Sequence, residues 1–449
     1  MSNVFKINSS VITYFYFNLK KEIVCFVQEE EACFVYNSGN FKNNFYIQTG
    51  GSKVSFVYDI PTKVFFGEGQ IENLGAQLSV YGSRVLLVYG GGSIKKTGVY
   101  DKIVAQIKGA GLELYELSGI EPNPKVESVR RGIEICKKNK IDVCLAAGGG
   151  SAMDASKFIA AGACSDEDIW TIVSKKIPVT KALPIVTVLT ISATGSEMDP
   201  TAVLSNMQTN EKSPMSSPLF FPKASFCDPT FTYSVGANQT ACGSADILSH
   251  LMEVYFNRNQ NLFMLDRCME GMMKTVIKYA PLAMHEPDNY EARANLMWTS
   301  SWAINGFTSG CNKAPWSCHP VEHQLSAYYD ITHGLGLAIV TPRWMRYVLA
   351  NDDEQGSRAQ KFYEFAVNVF GIEPSTGKNQ AAEMAVEKVE EFFYSKLGLK
   401  KSLSEIGIGR EHFSDMAKKA AECGGGDCVN GWQKLYAADI EKIYEACLN

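Results

Sequence analysis

Short apolar runs alternate with helical repeats of apolar residues between residues 63 and 189. The apolar runs occupy residues 63–67, 84–89, 112–117, 141–147 and 184–189. Helical spacing of apolar side chains occupies residues 99–109, 126–138 and 156–163. Strands that alternate with helices indicate βα units, whose parallel sheet is covered on both faces. We therefore predict an α/β domain with a Rossmann-like parallel sheet over residues 53–230.

The pattern changes near Asp228-Pro229, after which helical repeats become almost continuous. They occupy residues 240–256, 262–280, 288–305, 379–397 and 431–447. We predict an all-helical second domain over residues 231–449. Residues 1–52 fit neither domain, because they are rich in Asn, Phe, Tyr and Val and show little helical period. We predict that they form a β-prone or poorly ordered extension of unknown role.

Composition narrows the class of protein. The 449 residues are 46% apolar and 20% charged, which is typical of a soluble globular chain. A net charge of −5 leaves no strong basic field, so we expect neither nucleic acid nor an anionic membrane surface as partner. No apolar run approaches the roughly 20 residues that a membrane helix needs. Thirteen cysteines without a Cys-x-x-Cys pair favour reduced thiols and a cytoplasmic location.

Two predicted strands end in the same four residues, Gly-Gly-Gly-Ser. The first turn is Gly90, Gly91, Gly92 and Ser93, and the second is Gly148, Gly149, Gly150 and Ser151. Glycine lets a phosphate approach the backbone, and the helix that follows offers unpaired N–H groups. Because ligands bind at the carboxyl ends of parallel strands, two such turns favour a nucleotide site. Neither turn fits Gly-x-Gly-x-x-Gly, and the alternative is that both are only tight turns between strand and helix.

The first turn also bears on the identity of the nucleotide. The strand before it ends in Val88-Tyr89 and offers no acid for a ribose 2′-hydroxyl. Ser93, Lys95 and Lys96 follow, and a hydroxyl with two ammonium groups suits a 2′-phosphate. The turn therefore predicts NADP(H) rather than NAD(H).

Four of the six histidines, with one aspartate, are candidates for a metal site. Asp246 and His250 are four residues apart, as are His319 and His323, and this spacing places each pair on one face of a helix. His333 precedes a glycine and is expected to begin a new helix. Imidazoles with one carboxylate suit Fe²⁺ or Zn²⁺. Spacing alone leaves open which of these histidines bind the metal.

Taken in order, several segments resemble the iron-dependent alcohol dehydrogenase family from about residue 61 to the end of the chain. The matching segments are Pro61–Gly69, Glu121–Pro124, Gly148–Asp154, Thr190–Glu197, Cys227–Pro229, Asp246–His250 and His319–His333. Residues 89–98 resemble the NADP-dependent butanol dehydrogenase and aldehyde reductase branch. The resemblance implies a dehydroquinate synthase-like architecture, in which an α/β dinucleotide-binding domain precedes an all-α domain.

The resemblance also implies roles for individual residues. The metal ligands would be Asp246, His250, His319 and His333, with His323 beside the metal as a proton relay. The first glycine turn would bind the adenosine 2′-phosphate and the second the pyrophosphate. The remaining cofactor contacts would come from Asn123 at the ribose, Asp154 and Thr190 at the nicotinamide, and Thr194 and Lys212.

The reaction that follows is reversible hydride transfer between NADP(H) and a short- to medium-chain primary alcohol or aldehyde. Trp302, Phe307 and Trp316 either line the substrate pocket or are ordinary core aromatics. The alternatives are an NAD-dependent glycerol or polyol dehydrogenase and a dehydroquinate synthase-like lyase. The metal segments are poor in the Arg and Lys that a phosphorylated substrate of the lyase requires. All four ligand positions are present, which argues against a non-enzymatic binding protein. We expect a homodimer.

Overall fold

A computed structural model describes residues 12–17, 22–27, 32–37, 47–49 and 56–449, except 258–262, 311–315, 353–355 and 424–425. Contacts divide the chain into two compact units, Met1–Ser55 and Phe56–Asn449. The first unit contains strands β1 (Ile12–Phe17), β2 (Glu22–Val27), β3 (Ala32–Asn37) and β4 (Ile47–Thr49). These strands pair antiparallel in the order β1-β2-β3-β4. The rest of the predicted 1–52 extension lies outside the described residues.

Six parallel strands form the central sheet of the second unit, and all strands are numbered in chain order. They are β5 (Lys63–Phe66), β6 (Arg84–Tyr89), β7 (Glu113–Leu117), β8 (Val143–Gly148), β9 (Ile185–Leu189) and β12 (Ala224–Cys227). Their order across the sheet is β5-β12-β9-β8-β6-β7. Because all six run the same way, the turns that follow β6, β8 and β9 meet at one edge of the sheet.

Short helices connect the strands and cover both faces of the sheet. They are α1 (Leu74–Ser79), α2 (Ser93–Lys96), α3 (Val99–Gly109), α4 (Val126–Asn139), α5 (Gly150–Gly162) and α6 (Ile169–Ser174). Neighbouring residues of β6 pack on opposite faces, Leu87 in a cluster with Ile103 of α3 and Leu86 in a cluster with Phe158 of α5. Burial of alternate side chains on both faces explains why these strands are apolar throughout.

An antiparallel hairpin lies in the chain between strands β9 and β12 of the sheet. It consists of β10 (Thr201–Asn206) and β11 (Glu211–Ser216), which pair along their whole length. The helices that follow are α7 (Ala237–Tyr255), α8 (Phe263–His285), α9 (Tyr290–Ile304), α10 (Cys318–Tyr329), α11 (His333–Ala350), α12 (Ser357–Phe370), α13 (Lys378–Glu390), α14 (Phe413–Cys423) and α15 (Ala437–Ala446). Within the described ranges, none of the helices is both long and apolar enough to cross a bilayer.

The predicted fold class is confirmed, with differences at the ends of individual elements. The parallel sheet and the helical C-terminal part are both present. The predicted helix 431–447 is too long, because Leu435–Tyr436 (β14) pairs with Cys428–Val429 (β13) before α15 begins. The predicted helix 156–163 begins earlier, at Gly150, within the second glycine turn. The division at residue 230 stays a prediction.

Candidate metal and cofactor site

Helix α7 presents a buried carboxylate and a buried imidazole on the same face. Asp246 and His250 are each 3% exposed, and Asp246 Oδ1 lies 3.5 Å from His250 Nε2. Almost every residue of α7 from Thr240 to Tyr255 is buried. A charged residue on such a helix needs a compensating partner, because burial of an isolated carboxylate is costly.

Two further histidines converge on the same carboxylate oxygen. His319 Nε2, from the first turn of α10, lies 3.7 Å from Asp246 Oδ1. His333 Nε2, from the first residue of α11, also lies 3.7 Å from it. The ring of His250 stacks on that of His319 at a centroid distance of 4.7 Å. The structure therefore brings all four predicted ligands together, and His333 does begin a helix.

The donor set and its spacing fit a divalent metal ion. Asp246 Oδ1 and His319 Nε2 are buried, and neither has a hydrogen-bond partner among the described residues. Ligand atoms about 2.1 Å from one ion in tetrahedral geometry lie about 3.4 Å apart, close to the 3.5–3.7 Å from Asp246 Oδ1 to the three Nε2 atoms. Ligand atoms of Asp246, His319 and His333 also lie within 4.8 Å of one another. Burial by itself would raise the pKa of Asp246, but the charges of the histidines hold it well below its usual value. A carboxylate that stays ionised while buried is a suitable ligand for a cation.

Two carboxylates that sequence analysis missed orient the ligand histidines from behind. Glu253 of α7 contacts His319 Nδ1 and accepts hydrogen bonds from the backbone N–H groups of Ser317 and Cys318 at 2.6 and 2.7 Å. Glu322 of α10 contacts His333 Nδ1. Each contact fixes which ring nitrogen is free to face Asp246. The only sequence signal is that each glutamate lies on the same helix as a candidate ligand.

His323 lies beside this cluster without contacting Asp246. Its ring centroid is 5.4 Å from that of His333 and 6.2 Å from that of His319. Its Nδ1 is buried and has no hydrogen-bond partner among the described residues. Burial and the neighbouring positive groups, Lys212 first among them, lower the pKa of His323 well below its usual value. The ring is therefore neutral at pH 7.

A series of side-chain contacts leads from the histidines around Asp246 to the carboxyl edge of the sheet. Lys212 of β11 is 5% exposed, and its Nζ lies 3.8 Å from Glu322 Oε2. The same Nζ donates a hydrogen bond to Asn123 Oδ1 at 3.0 Å. Asn123 Nδ2 in turn donates to Asp330 Oδ1 at 3.0 Å, at the end of α10. Two predicted cofactor contacts, Asn123 and Lys212, are thus in direct contact with each other.

The first glycine turn leaves open space beyond the end of β6. A Cβ added to Gly91 or Gly92 would meet no described atom within 4 Å, and Gly92 has a φ of 97°. An acid does lie beside this turn, although it comes from the neighbouring strand β7. Glu116 accepts hydrogen bonds from Tyr89 Oη at 2.7 Å and Tyr100 Oη at 2.8 Å.

Glu116 also competes for one of the predicted phosphate donors. Lys95 Nζ lies 3.7 Å from Glu116 Oε2 and over the rings of Tyr89 and Tyr100. Lys95 and its neighbour Lys96 are both exposed. Lys95 could therefore donate to a phosphate only in competition with its contact to Glu116. Sequence order alone did not reveal this neighbour.

The second glycine turn is crowded, in contrast to the first. A Cβ on Gly149 would lie 2.3 Å from Ile191 Cγ2, and one on Gly150 would lie 2.5 Å from Thr194 Oγ1. Thr190 N donates a hydrogen bond to Gly148 O at 2.9 Å. Thr190 and Thr194 are thereby held against this turn at the carboxyl ends of β8 and β9. Ser151, in the first turn of α5, is half-buried beside them.

Asp154 sits one turn into α5 within a buried polar network. Its Oδ1 accepts a hydrogen bond from Ser196 Oγ at 2.6 Å, and its Oδ2 accepts one from Val203 N at 2.9 Å. Ser196 Oγ also accepts from Lys157 Nζ at 2.8 Å, and Lys157 pairs with Asp199 Oδ1 at 2.7 Å. Burial raises the pKa of Asp154 to about 6.

The three aromatic candidates fall in two different places. Trp316 contacts the metal cluster, with ring centroids 4.9 Å from His319 and 5.8 Å from His250. Trp302 and Phe307 form a pair at 5.2 Å that continues to Trp298. Trp316 therefore borders the cluster, whereas no contact joins the other two to the four predicted ligands in the described part of the chain.

Comparisons with known proteins match most of the chain. The family described as iron-containing alcohol dehydrogenase matches residues 61–229. The family described as the C-terminal part of Fe-containing alcohol dehydrogenases matches residues 240–448. Together the two matches cover the sheet, the helices and all the predicted site residues.

Individual relatives and structures show the same likeness along nearly the whole chain. NADH-dependent butanol dehydrogenase A of Clostridium acetobutylicum is 50% identical over 392 residues, which is 87% of this chain and 99% of the relative. The NADPH-dependent aldehyde reductase YqhD of Escherichia coli is 35% identical and covers 82% of this chain and 94% of its own length. The crystal structure of NADH-dependent butanol dehydrogenase A from Thermotoga maritima superimposes with a TM-score of 0.82 at 37% identity, over 88% of this chain and 99% of that structure.

Proposed function

The chain belongs to the iron-containing alcohol dehydrogenase family, and from that premise we propose a specific reaction for it. The protein is a metal-dependent oxidoreductase of alcohols and aldehydes. We propose that it transfers hydride reversibly between NADP(H) and a short- to medium-chain primary alcohol or aldehyde. The metal would be one Fe²⁺ or Zn²⁺ per chain.

The observation that carries the proposal is the convergence of three imidazole nitrogens on one buried carboxylate oxygen. Asp246 Oδ1 lies 3.5–3.7 Å from Nε2 of His250, His319 and His333. These four side chains are the ones that would hold the ion. When bound, the metal would supply Lewis-acid chemistry at the substrate oxygen, and the nicotinamide would supply or accept the hydride.

The residues around the cluster keep its ligands in one geometry. Glu253 and Glu322 each contact the Nδ1 atom of a ligand histidine, so that Nε2 of His319 and of His333 faces Asp246. Trp316 packs edge-on against His250 and His319. Such outer contacts orient the ligands and raise their basicity.

We assign the movement of the substrate proton to His323. Its ring lies 5.4 Å from that of His333, and burial and the charge of Lys212 lower its pKa, which keeps it neutral. The unpartnered Nδ1 is the atom that would take up the proton during alcohol oxidation. Return of that proton would serve the reverse reaction.

The preference for NADP(H) rests on the first glycine turn. The names of the relatives include both NADH-dependent and NADPH-dependent enzymes. The open space at Gly91 and Gly92, followed by Ser93 and two exposed lysines, suits a 2′-phosphate. Gly148–Ser151 would hold the pyrophosphate, Asn123 the ribose, and Asp154 and Thr190 the nicotinamide. Thr194 and Lys212 would add further contacts.

The cellular setting and assembly complete the proposal. The ten described cysteines from Cys136 onward are unpaired, which suits a reducing compartment such as the cytoplasm. We propose that the enzyme acts there as a homodimer on a small alcohol or aldehyde.

An aldehyde reduction assay tests the proposal directly. Protein purified without oxygen should oxidise NADPH when butanal is added, and it should reduce NADP⁺ with 1-butanol. Glycerol with NAD⁺ is the control for a polyol dehydrogenase. Faster turnover of glycerol than of butanol, or no turnover of any alcohol or aldehyde by metal-loaded protein, would contradict the proposal.

A further inference from the structure

Glu322 lies between the predicted metal ligands and the predicted cofactor contacts. Its contact with His333 is described above, but its proximity to Lys212 adds a second role. Its side chain is fully buried on α10. One of its oxygens, Oε2, contacts His333 Nδ1 and lies 3.8 Å from Lys212 Nζ. A single carboxylate oxygen thus faces both a predicted metal ligand and a predicted cofactor contact.

Neighbouring residues hold this carboxylate in one orientation. Ser326, one turn further along α10, donates a hydrogen bond to Glu322 Oε1 at 2.5 Å. Gly336 of α11 provides the space, because a Cβ there would lie 2.7 Å from both Cγ and Oε1 of Glu322. The packing therefore specifies the position of both oxygens.

Lys212 depends on this carboxylate. The ammonium group is buried on β11, and burial lowers its pKa, which the charges of Glu322 and then Asp246 counteract. Its only hydrogen bond within the described ranges goes to Asn123 Oδ1, at 3.0 Å. Loss of Glu322 would remove the nearest anion from the ammonium and leave it free to move.

We propose that Glu322 is a positioning residue that ties the geometry of the metal site to that of the cofactor site. It orients His333 on one side and Lys212, with Asn123, on the other. The inference rests on the proposed function, because it takes both a divalent metal and a nicotinamide dinucleotide as ligands of this cleft. In this role Glu322 acts through His333 and Lys212 and not as a metal ligand, although ligand atoms of Glu322, His323 and His333 lie within 4.8 Å of one another.

Glu253 provides a matched control within the same cluster. It too is a buried glutamate that contacts Nδ1 of a ligand histidine, in this case His319. Its other described contacts are with Ser249 Oγ and with the backbone N–H groups at the start of α10. Among the described residues, no hydrogen bond or ion pair joins Glu253 to Lys212 or Asn123. Glu253→Gln therefore perturbs the metal side alone, whereas Glu322→Gln perturbs both sides.

The test measures each ligand separately on the full-length protein. Zn²⁺ affinity is measured by competition with a chromophoric chelator, and NADPH affinity by fluorescence titration of the metal-free protein. Both variants should lose about 10–100-fold in Zn²⁺ affinity. Only Glu322→Gln should also raise the Kd for NADPH, by at least about fivefold. Metal-free protein is used so that loss of the metal does not itself alter the NADPH titration.

A second variant reaches the same carboxylate without altering its charge. Gly336→Ala should displace the Glu322 side chain and reproduce both losses. Gly271→Ala on α8, where a Cβ meets no described atom within 4 Å, should change neither affinity. If circular dichroism shows that Glu322→Gln is misfolded, the comparison of Gly336→Ala with Gly271→Ala still tests the proposal.

The outcomes distinguish failure of the inference from failure of the proposed function. If unmodified protein binds neither Zn²⁺ nor NADPH, the proposed function fails. If it binds both, but Glu322→Gln and Gly336→Ala leave the NADPH Kd within about twofold or tighten it, the inference is overturned. Equal weakening of NADPH binding by Glu253→Gln would also overturn it, because the effect would then be a general loss of structure.

Discussion

Buried carboxylates on the helical side and on the sheet side of the cleft have opposite shifts in pKa. The helical carboxylates are Asp246, Glu253 and Glu322, and the pKa of each is lowered. The sheet-side carboxylates are the half-buried Asp154 and the buried Glu197 and Asp199, and the pKa of each is raised. Burial raises the pKa in both groups, so the difference comes from what surrounds them.

Their immediate neighbours explain the difference. Each helical carboxylate faces at least one histidine. On the sheet side, Asp154 and Glu197 accept hydrogen bonds from serine hydroxyls, and Lys157 does not outweigh the burial of Asp199. The helical carboxylates are therefore kept anionic by the histidines beside them, as the proposed metal site requires, whereas the sheet-side group serves mainly as hydrogen-bond acceptors.

Removal of a ligand on the helical side should have the largest effect. Asp246→Ala or His333→Ala should lower kcat by about a thousandfold or more, because Lewis-acid stabilisation is worth several kcal/mol. The sheet and its own core should keep the protein folded. Steady-state kinetics, metal analysis and thermal unfolding check this. Full activity in either variant with metal still bound would refute the assignment of ligands.

His323 should separate proton transfer from metal binding. His323→Asn should retain near-stoichiometric metal but lower kcat by about a hundredfold, which is typical of the loss of a general acid or base. The pH dependence of kcat should change as well, whereas that of metal content should not. Loss of the metal from this variant would make His323 a ligand instead of a relay.

The sheet side should determine the choice of cofactor. We expect kcat/KM with NADPH to exceed that with NADH by at least about tenfold, or about 1.4 kcal/mol. Gly91→Asp should reduce or reverse the preference, since an added carboxylate has space there and would repel a phosphate. The effect should appear mainly in the KM for NADPH. Equal use of both cofactors by the unmodified protein would mean that the first glycine turn does not bind a 2′-phosphate and only connects strand and helix.

Glu197 gives the smallest expected effect, and on stability alone. Burial raises its pKa to about 6, and its Oε2 has no hydrogen-bond partner in the described part of the chain. Because the folded state binds the proton more tightly, the free energy of unfolding falls as pH rises from 4.5 to about 6. Glu197→Gln should remove this loss.

Urea unfolding of metal-free protein measures the effect of Glu197. At pH 8 the Glu197→Gln variant should exceed the unmodified protein by on the order of 1–2 kcal/mol, and below pH 4.5 the gain should vanish. Glu72→Gln, at an exposed position, should change little at either pH. A gain that is the same at both pH values would exclude the ionisation of Glu197 as its cause.

The sequence predicted elements best where the hydrophobic pattern itself determines the structure. The run 84–89 and the helical repeat 99–109 match β6 and α3 residue for residue. Spacing alone grouped Asp246 with four candidate histidines, but the choice of His250, His319 and His333 over His323 rested on family resemblance. The structure then brings them within a few ångströms of one another.

What the sequence missed depends on contacts between distant segments. Glu116 belongs to β7, and only the pairing of that strand with β6 brings it to Tyr89 and Lys95. Glu253 and Glu322 resemble ordinary helical glutamates until the histidines that they orient are located. The sequence also could not show why glycine occurs in each turn. Gly149 and Gly150 leave no room for a side chain against Ile191 and Thr194, whereas Gly91 and Gly92 border open space.

The central claim is that the helical carboxylates and histidines form a site for one divalent metal ion on which turnover depends. Metal analysis of protein purified without oxygen, paired with NADPH oxidation by butanal before and after chelation, tests this most directly. We predict about one Fe²⁺ or Zn²⁺ per chain, loss of activity on its removal and recovery when it is restored. Full turnover by metal-free protein would contradict the account.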